Sequence, residues 1–544
     1  MAHKNILFIM CDQLRFDYLG CTGHPTIKTP NIDALAARGV TFSKTYCQSP
    51  ICGPSRASTY TGRYMSSHGA CSNFTPLRIG EKNIGHHLDP LGVRSVLVGK
   101  SHVMADQDGM KRLGIGPQST VGKHHAQGGF TPFERDDGIH PDTMVKPDLP
   151  YNSYLKSKGH TADHNPWHWA ANSVDGTNGV RSGFFNDEVD LPARVAEEDS
   201  ETPYMTRRAM EFLEQDDGKA PWLLHLSYIK PHWPYVAPAP YNNMYSAKDV
   251  IPAVKSQAEL ENANPLARHF IDRVAGKTFS REEAREKVIP AYMGLITQID
   301  DQLGILFEFM QDRGQLENTM IIFTSDHGDY LGDHWMGDKD YFHAPSVKIP
   351  LIIADPSADA DASRGTVNDA LVEAIDLIPT FVDYHGGEIA DHILEGRSLM
   401  PLIKNQTPVW RDYAISEYDY SCQVFRPETG RMPRECRSYM VATHEWKYIH
   451  APGFAPVLFD LVKDPDELND LGLKPEHAKV RQDMFNKLAD WSLQYRQRET
   501  WSEAHNVKMT GIEEQFGVLI GYWNEEDAKG KNPKILPKRR PAAE

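Results

Sequence analysis

Short apolar runs alternate with stretches of helical periodicity along most of the chain. Strands buried on both faces read as continuous apolar runs, whereas helices repeat their apolar positions every three or four residues. The runs that predict buried strands are Asn5 to Met10, Val93 to Val98, Trp222 to Tyr228, Met320 to Thr324 and Ile349 to Ala354. This alternation is typical of an α/β fold, a large and mostly parallel sheet with helices on both faces.

Two segments carry the helical pattern most clearly. In the first, Ile32 and Leu35 share one face of a helix that begins at Pro30 and stops at Gly39. The second, from Ala291 to Arg313, is the longest, and Gly314 ends it. Its apolar stripe predicts a helix packed on the sheet.

The pattern changes near residue 405, which divides the chain into predicted regions. Residues 1–405 are expected to form the α/β domain, with long insertions over the sheet between about 105 and 200. Short strands and a single helix predict a smaller α+β subdomain over residues 406–525. Residues 526–544 are rich in proline and basic residues, which predicts an extended basic tail.

Composition and charge exclude several classes of protein. The 544 residues carry 58 Lys and Arg against 74 Asp and Glu, a net charge of −16, which disfavours nucleic acid as a partner. No apolar run approaches the roughly 20 residues that a membrane helix needs. The short apolar stretch near the N-terminus does not resemble a secretory signal, so we expect a cytoplasmic protein. The seven cysteines lack the spacing of a disulfide framework or a structural zinc site.

Polar, ionisable residues follow four of the predicted strands. They are Asp12 and Gln13, Lys100 and His102, His232, and Asp326 with His327. Each alone is more often a turn residue or a cap. However, ligands of open α/β sheets bind beyond the carboxyl ends of the strands, so the four groups together predict one site. Two carboxylates and an imidazole are a plausible ligand set for one divalent cation.

The segment Cys52-Gly53-Pro54-Ser55-Arg56 is the sharpest motif in the chain. Pro54 suits the first turn of a helix, which places Cys52 at a helix N-terminus. Free backbone N–H groups at that position favour anions and lower the pKa of a thiol. The alternative is a buried cysteine with a packing role only.

This motif, followed by Thr61-Gly62-Arg63, resembles the signature of the sulfatases, in the alkaline phosphatase superfamily. Further segments resemble the family in the same order along the chain. They are Cys11 to Arg15, Gly92 to His102, Lys230 to Pro234, Ser325 to Gly328 with Lys339 downstream, and Trp446 to Ile449 with Leu458 to Leu461. The resemblance therefore covers most of the chain.

The resemblance implies a role for each matching residue. Cys52, oxidised to formylglycine by a separate formylglycine-generating enzyme, would be the nucleophile and a metal ligand. The other implied ligands are Asp12, Asp326 and His327. Arg56 would support the nucleophile, Lys100 and His232 would hold the substrate's oxygens, and Lys339 with His232 would lie near the leaving oxygen. His102 would deprotonate the second hydroxyl of the hydrated aldehyde, and Gln13 and Asn73 are expected to line the pocket.

Departures from the family pattern bear on the metal and the substrate. Many sulfatases have a second aspartate where this chain has Gln13 and an asparagine where it has His327. The less negative ligand set leaves calcium or manganese as the expected ion, with magnesium and zinc as further candidates. The pairs Asp12-Gln13 and Asp326-His327 also resemble those of phosphonate monoester hydrolases and choline sulfatases. The segment Lys100-Ser101-His102 instead resembles ordinary arylsulfatases.

The expected substrate is a small anionic ester. We expect a promiscuous sulfatase of the arylsulfatase type, and the alternative is a phosphonate monoester or phosphodiester hydrolase that uses the same site. A different class, a binding protein that leaves Cys52 as a thiol, is also open. Neither nucleic acid nor a membrane is expected as a partner, and a homo-oligomer is expected.

Overall fold

The computed structural model describes residues 4–138, 149–160, 168–494 and 500–515, together with 523, 524, 526 and 527. The predicted basic tail, 526–544, therefore lies almost wholly outside the described residues. The predicted domain boundaries stay predictions. No helix among the described residues is long and apolar enough to cross a bilayer.

The strands form one large sheet and two smaller ones. Their bounds are β1 Asn5–Asp12, β2 Val40–Tyr46, β3 Arg94–Gly99, β4 Thr131–Arg135, β5 Ser173–Val174, β6 Val180–Arg181, β7 Trp222–Pro231, β8 Thr319–Ser325, β9 Leu351–Ala354, β10 Thr366–Glu373, β11 Ala414–Asp419, β12 Arg437–Ala442, β13 Trp446–His450 and β14 Val457–Asp460. The large sheet has eight strands in the order β10-β2-β9-β8-β1-β7-β3-β4. Only β9 runs antiparallel to its neighbours in that sheet. The predicted α/β class, with a mostly parallel sheet, is confirmed.

The helices cover both faces of this sheet. Their bounds are α1 Pro30–Arg38, α2 Cys52–Thr61, α3 Met65–His68, α4 Ile84–Leu88, α5 Gln107–Arg112, α6 Thr120–Ala126, α7 Pro150–Ser157, α8 His168–Ala171, α9 Glu201–Gln215, α10 Gln257–Glu261, α11 Pro265–Ile271, α12 Val274–Phe279, α13 Glu282–Asp312, α14 Ala344–Val347, α15 Leu377–Tyr384, α16 Met400–Ile403, α17 Ala478–Gln494, α18 Glu503–Lys508 and α19 Ile512–Gln515. One core contains Leu7 and Ile9 with side chains of α1, α9 and α13. Another contains Ile6 and Phe8 with side chains of α15. Alternate residues of β1 thus point to opposite faces, both of which are buried.

The C-terminal part has the predicted α+β character. Strands β11 to β14 form an antiparallel sheet in chain order. Met484, Leu488 and Trp491 of α17 pack against it. Lys447 of β13 forms a buried ion pair with Glu467. Lys447 also donates to the carbonyl of Phe342 at 3.0 Å, and this hydrogen bond connects the C-terminal sheet to the large domain.

The structure corrects two expectations about single elements. The long helix begins at Glu282 rather than Ala291, and it continues through Pro290, because Val288 and Ile289 before the proline are buried. The insertion between 105 and 200 is also not wholly separate from the sheet. It supplies the edge strand β4, which pairs with β3.

Candidate active site

The strand-end residues converge at one edge of the large sheet. Asp12 ends β1, Asp326 follows β8, His232 follows β7 and Lys100 follows β3. These four strands are neighbours in the order β8-β1-β7-β3. Because they run in parallel, their carboxyl ends lie side by side. The predicted convergence is therefore present.

Cys52 lies at the centre of this edge, at the first residue of α2. Residues Cys52 to Thr61 are all buried, and Ile51 caps the helix in an extended conformation. The Cys52 sulfur lies 3.0 Å from Nε2 of His327 and 3.6 Å from Oδ1 of Asp12. In the hydrated aldehyde implied by the family resemblance, a hydroxyl oxygen would stand where this sulfur lies.

Four side chains offer a compact set of metal ligands. One donor atom each from Asp12, Cys52, Asp326 and His327 lies within 4.8 Å of all the others, and all four residues are buried. The other ring nitrogen of His327, Nδ1, lies 2.9 Å from the carbonyl of Gly328. A bond from Nδ1–H to this carbonyl leaves Nε2 free to face the set, the usual arrangement for a metal-binding histidine. Two carboxylates, an imidazole and an oxygen at position 52 fit a divalent cation.

The pKa values of two residues in the ligand set, Asp12 and His327, are shifted strongly by their surroundings. Burial opposes ionisation of Asp12, but the charges of Lys100, Arg56 and Lys339 outweigh it and hold the pKa of Asp12 well below its ordinary value. Burial also disfavours the charged imidazole of His327. The neighbouring Asp326 carboxylate and Cys52 sulfur outweigh that effect and raise the pKa of His327 to about 9, so a cation that binds at Nε2 displaces a proton from it.

Arg56 is fully buried behind the ligands. Its Nε donates to Asp326 at 2.8 Å, and its Nη2 lies 3.4 Å from Asp12. Nη1 donates to the Ser227 hydroxyl at 2.7 Å and to the carbonyl of Lys100 at 3.0 Å. The guanidinium therefore fixes the two carboxylates, and it supports residue 52 through them rather than by direct contact.

Lys100 and Lys339 enclose the set from two sides. Lys100 donates to Oδ2 of Asp12. Nζ of Lys339 lies 3.2 Å from the Cys52 sulfur, 2.9 Å from Nε2 of His232 and 2.9 Å from Oε1 of Gln13. With Arg56, these lysines place three cations in the site, which favours an anionic substrate.

The proton between Lys339 and His232 resides on the lysine. Burial and the neighbouring Lys339 charge hold the pKa of His232 well below its ordinary value. Burial opposes the charge on Lys339, yet Cys52, Asp338 and Asp12 outweigh it and raise the pKa of Lys339. His232 Nδ1 lies 2.7 Å from the carbonyl of Trp233, so Nδ1 donates there and Nε2 accepts from Lys339.

Gln13 is not one of the four candidate ligands, but it connects Lys339 to neighbouring acidic residues through hydrogen bonds. Its amide nitrogen lies 2.6 Å from Asp329 and 3.2 Å from both Asp338 and the Tyr235 hydroxyl, so its two hydrogens are shared among these three acceptors. Burial and the Asp338 charge raise the pKa of Asp329 to about 6. The amide oxygen is thereby turned toward Lys339. Gln13 lies in the site, as expected, and its backbone has a positive φ of 64°.

Asn73 contacts the start of α2, next to Cys52. Its Oδ1 accepts from the backbone N–H of Gly53 at 2.8 Å. A Cβ on Gly53 would lie 3.0 Å from Asn73 Cα and Oδ1, so a side chain there has no room. Asn73 therefore satisfies one of the free N–H groups at the start of α2.

His102 is held by a residue that the sequence pattern did not single out. Oδ1 of Asp137 accepts from the backbone N–H groups of Ser101 at 2.9 Å and His102 at 3.0 Å. His102 has a positive φ of 53°. Burial and the Lys100 charge hold its pKa well below the ordinary value, so the ring is neutral. A neutral imidazole can accept a proton, but the role of base stays a prediction.

Several partners of the site were missed, among them Ser227, Tyr235, Asp329 and Asp137. Three of them lie in or close after strands or motifs that were recognised. Asp137 follows β4, a strand that was not predicted because its sequence contains no continuous apolar run. Ser227 lies inside β7, and Tyr235 and Asp329 lie four residues beyond β7 and β8, so a search of the positions directly after each strand does not find them.

The sulfatase family matches residues 4–387 of the chain, and the C-terminal domain of N-sulphoglucosamine sulphohydrolase matches residues 332–494. A multifunctional alkaline phosphatase superfamily protein, PehA of Trinickia caryophylli, is 32% identical over 92% of this chain and 97% of its own length. An arylsulfatase of Clostridium perfringens is 29% identical, over 89% and 93%.

Solved structures agree with these matches. The phosphonate monoester hydrolase of Agrobacterium radiobacter superposes with a TM-score of 0.78 at 28% identity, covering 90% of this chain and 96% of the other. That of Silicibacter pomeroyi gives a TM-score of 0.78 at 27% identity, covering 91% and 96%. The assembled strand-end site, the family match and these relatives agree, and the chain belongs to the sulfatase family of hydrolases in the alkaline phosphatase superfamily.

Proposed function

We propose that this protein hydrolyses sulfate monoesters of the arylsulfatase type, with residue 52 acting as formylglycine beside one divalent cation. One observation carries the proposal. The Cys52 sulfur and one donor atom each from two carboxylates and an imidazole all lie within 4.8 Å of one another, and Nζ of Lys339 lies 3.2 Å from the sulfur. A cysteine with a packing role only has no need of these charged partners.

The bound cation and the aldehyde hydrate would supply a hydroxyl that is a good nucleophile near neutral pH. The side chains of the site do the rest. Asp12, Asp326 and His327 hold the ligand set, and Arg56 fixes both carboxylates. Preorganised charge of this kind stabilises the oxygens of the transition state without reorganisation.

Lys339 is the proton donor for the leaving oxygen in this proposal, because its ammonium group lies 3.2 Å from the Cys52 sulfur and the neighbouring His232 is neutral. His232 then orients Lys339 through the 2.9 Å hydrogen bond. His102, neutral and held by Asp137, accepts the proton that leaves the second hydroxyl when the product anion is released.

Phosphonate monoesters and phosphodiesters are the second candidate substrates. Two phosphonate monoester hydrolases superpose with TM-scores of 0.78 over at least 90% of the chain. Like sulfate monoesters, these esters carry a single negative charge, so the three cations of the site suit all of them. A comparison of kcat/KM for 4-nitrophenyl sulfate and 4-nitrophenyl phenylphosphonate decides which ester the site prefers.

The decisive experiment is the mass of the tryptic peptide Thr45 to Arg56 from an active preparation. It contains Cys47 and Cys52. We expect the change from CH₂SH to CHO at Cys52 alone, and loss of all turnover in Cys52→Ala. Cys47→Ala is the matched control, because Cys47 is equally buried in the same peptide but is not among the ligands. Two unmodified thiols in an active enzyme would refute the proposal.

The metal and the partners complete the proposal. We propose manganese or calcium as the ion, with magnesium and zinc as the other candidates, and a formylglycine-generating enzyme as the modifying partner. Elemental analysis of the purified protein identifies the ion. Asp326→Ala should lose it, because this substitution removes a ligand and a partner of Arg56. Retention of a stoichiometric ion by this variant would contradict the ligand set.

A further inference from the structure

A cavity of about 870 Å³ adjoins the end of the site that carries Lys339 and His232. Two of its wall residues, Trp233 and Asp338, contact site side chains directly. The Trp233 ring lies 4.5 Å from the His232 ring, centroid to centroid. The Asp338 carboxylate lies 3.7 Å from Nζ of Lys339 and 3.2 Å from the amide nitrogen of Gln13. The cavity therefore lies next to the Lys339 and His232 side of the site, the side on which the leaving oxygen is expected.

Exposure to solvent rises from the ligand set toward this cavity. The side chain of Asp12 is fully buried, those of His232 and Lys339 are 4% and 6% exposed, and that of Asp338 is 20% exposed. A substrate that reaches residue 52 from this side places its anionic group deep and its alcohol group in the cavity.

The walls of the cavity are largely aromatic and apolar. They include Phe184, Phe185, Trp233, Val274, Phe279 and Val424. Phe185, Val274 and Val424 are 65%, 83% and 85% exposed, and such apolar side chains around a concave surface mark a binding site. The rings of Phe184 and Trp233 meet edge to face at 6.2 Å. A flat apolar group would add favourable ring contacts here.

Both arginines of the walls lie close to acidic side chains. Arg273 forms an ion pair with Asp340 and lies 3.9 Å from Asp338. Arg281 lies 3.4 Å from Glu283. Among the described lining residues, each arginine thus has an acidic partner. The cavity does not favour a second anionic group on the substrate.

We propose that this cavity binds the alcohol half of the ester and selects bulky, uncharged aromatic alcohols, such as fused-ring phenols. The inference rests on the proposed function, whose leaving oxygen faces Lys339. It separates this substrate class from sulfated sugars, which need many hydrogen bonds and often carry a second sulfate. The volume, within the range of about 300 to 1,000 Å³ for small-molecule sites, accommodates a fused aromatic ring.

The test compares kcat/KM for phenyl sulfate and 2-naphthyl sulfate in the unaltered enzyme and in two variants. Val274→Trp fills the mouth of the cavity, and Phe185→Ala removes a wall ring. We expect each to lower the naphthyl-to-phenyl ratio about fivefold, the size of one aromatic contact. Val409→Trp is the matched control, because Val409 is 97% exposed but does not line the cavity, and it should leave the ratio unchanged.

Three outcomes would overturn the inference. The first is an unchanged naphthyl-to-phenyl ratio in both variants. The second is a higher kcat/KM for N-acetylglucosamine 6-sulfate than for the naphthyl ester. The third is a change of oligomeric state in Val274→Trp, which would mean that a second copy of the chain covers the cavity. Failure of the unaltered enzyme on every ester would instead refute the proposed function, and this inference with it. The two failures are thereby distinct.

Discussion

Asp137 offers a sharp test of how the site is held, because it touches the backbone of His102 rather than the substrate. Its Oδ1 accepts two backbone N–H groups, at 2.9 and 3.0 Å. Hydrogen bonds to a charged acceptor contribute about 1.5 to 3 kcal/mol each. The ion pair with Arg135 adds about 1 kcal/mol or less, since both side chains are about a quarter exposed. We therefore expect Asp137→Ala to lower the free energy of unfolding by about 3 to 7 kcal/mol.

The functional effect follows from the backbone conformation of His102. A non-glycine residue at a φ of 53° is strained by about 1 to 3 kcal/mol and keeps this conformation only when its surroundings enforce it. Without Asp137 the peptide relaxes and the imidazole moves. A displacement of about 1 Å can cost about 100-fold in rate. We expect kcat of Asp137→Ala to fall by about this factor, and KM to fall with it, because the second half-reaction then limits turnover.

The assay is urea unfolding together with stopped-flow release of 4-nitrophenol from 4-nitrophenyl sulfate. If His102 serves the second half-reaction, Asp137→Ala and His102→Gln should both show a burst followed by slow turnover. Asp137→Asn keeps the acceptor oxygen, so it should retain most of the stability and the rate.

Asp175→Ala is the matched control for this experiment. Asp175 also accepts two backbone N–H groups and pairs with an arginine, but it lies on the short hairpin of β5 and β6. It should leave kcat unchanged. If Asp137→Ala lost stability but kept its kcat and showed no burst, Asp137 would be structural only and the reasoning about His102 would be wrong.

Three further predictions concern stability. Lys447→Met should cost about 3 to 5 kcal/mol in urea unfolding, because it leaves the carboxylate of Glu467 buried without its cation, and adding Glu467→Met should restore most of the loss. Burial raises the pKa of Glu417 to about 7 from an unfolded value of 4.5, so the folded state binds the proton more tightly than the unfolded state. The free energy of unfolding should therefore fall as the pH rises from 4.5 to about 7, by up to about 1.4 kcal/mol per pH unit. Glu417→Gln should abolish that part of the slope, and an identical slope in both proteins would contradict it. Asn73→Ala should cost about 1 to 3 kcal/mol, since the N–H of Gly53 loses its acceptor, and Asn73→Asp should recover it; equal midpoints for all three proteins would show that water replaces the bond.

Five strands of the large sheet, β1, β3, β7, β8 and β9, could be predicted from the sequence, but β2 and the two edge strands could not. Strands β1, β7 and β8 are buried along their whole length, so they read as apolar runs. Strand β10 begins with exposed residues, and β4 contains Pro132 and a charged pair. Proline and charged residues are typical of edge strands, which have one side without a neighbouring strand. These residues interrupt the continuous apolar run by which a buried strand is recognised.

The positions of the site residues followed from the strand ends, whereas their partners did not. Gln13 is joined to Asp329 and Asp338 across more than 300 residues of sequence, and no local pattern reports such contacts. The contacts nevertheless decide what Gln13 does. An amide donates only from its nitrogen, so acceptors on that side turn its oxygen toward Lys339 at 2.9 Å. A carboxylate at position 13 could not donate to Asp329 and Asp338, and like charges would repel there. The glutamine in place of the family's second aspartate is therefore explained by these two acids, which the sequence places after β8 without showing where they point.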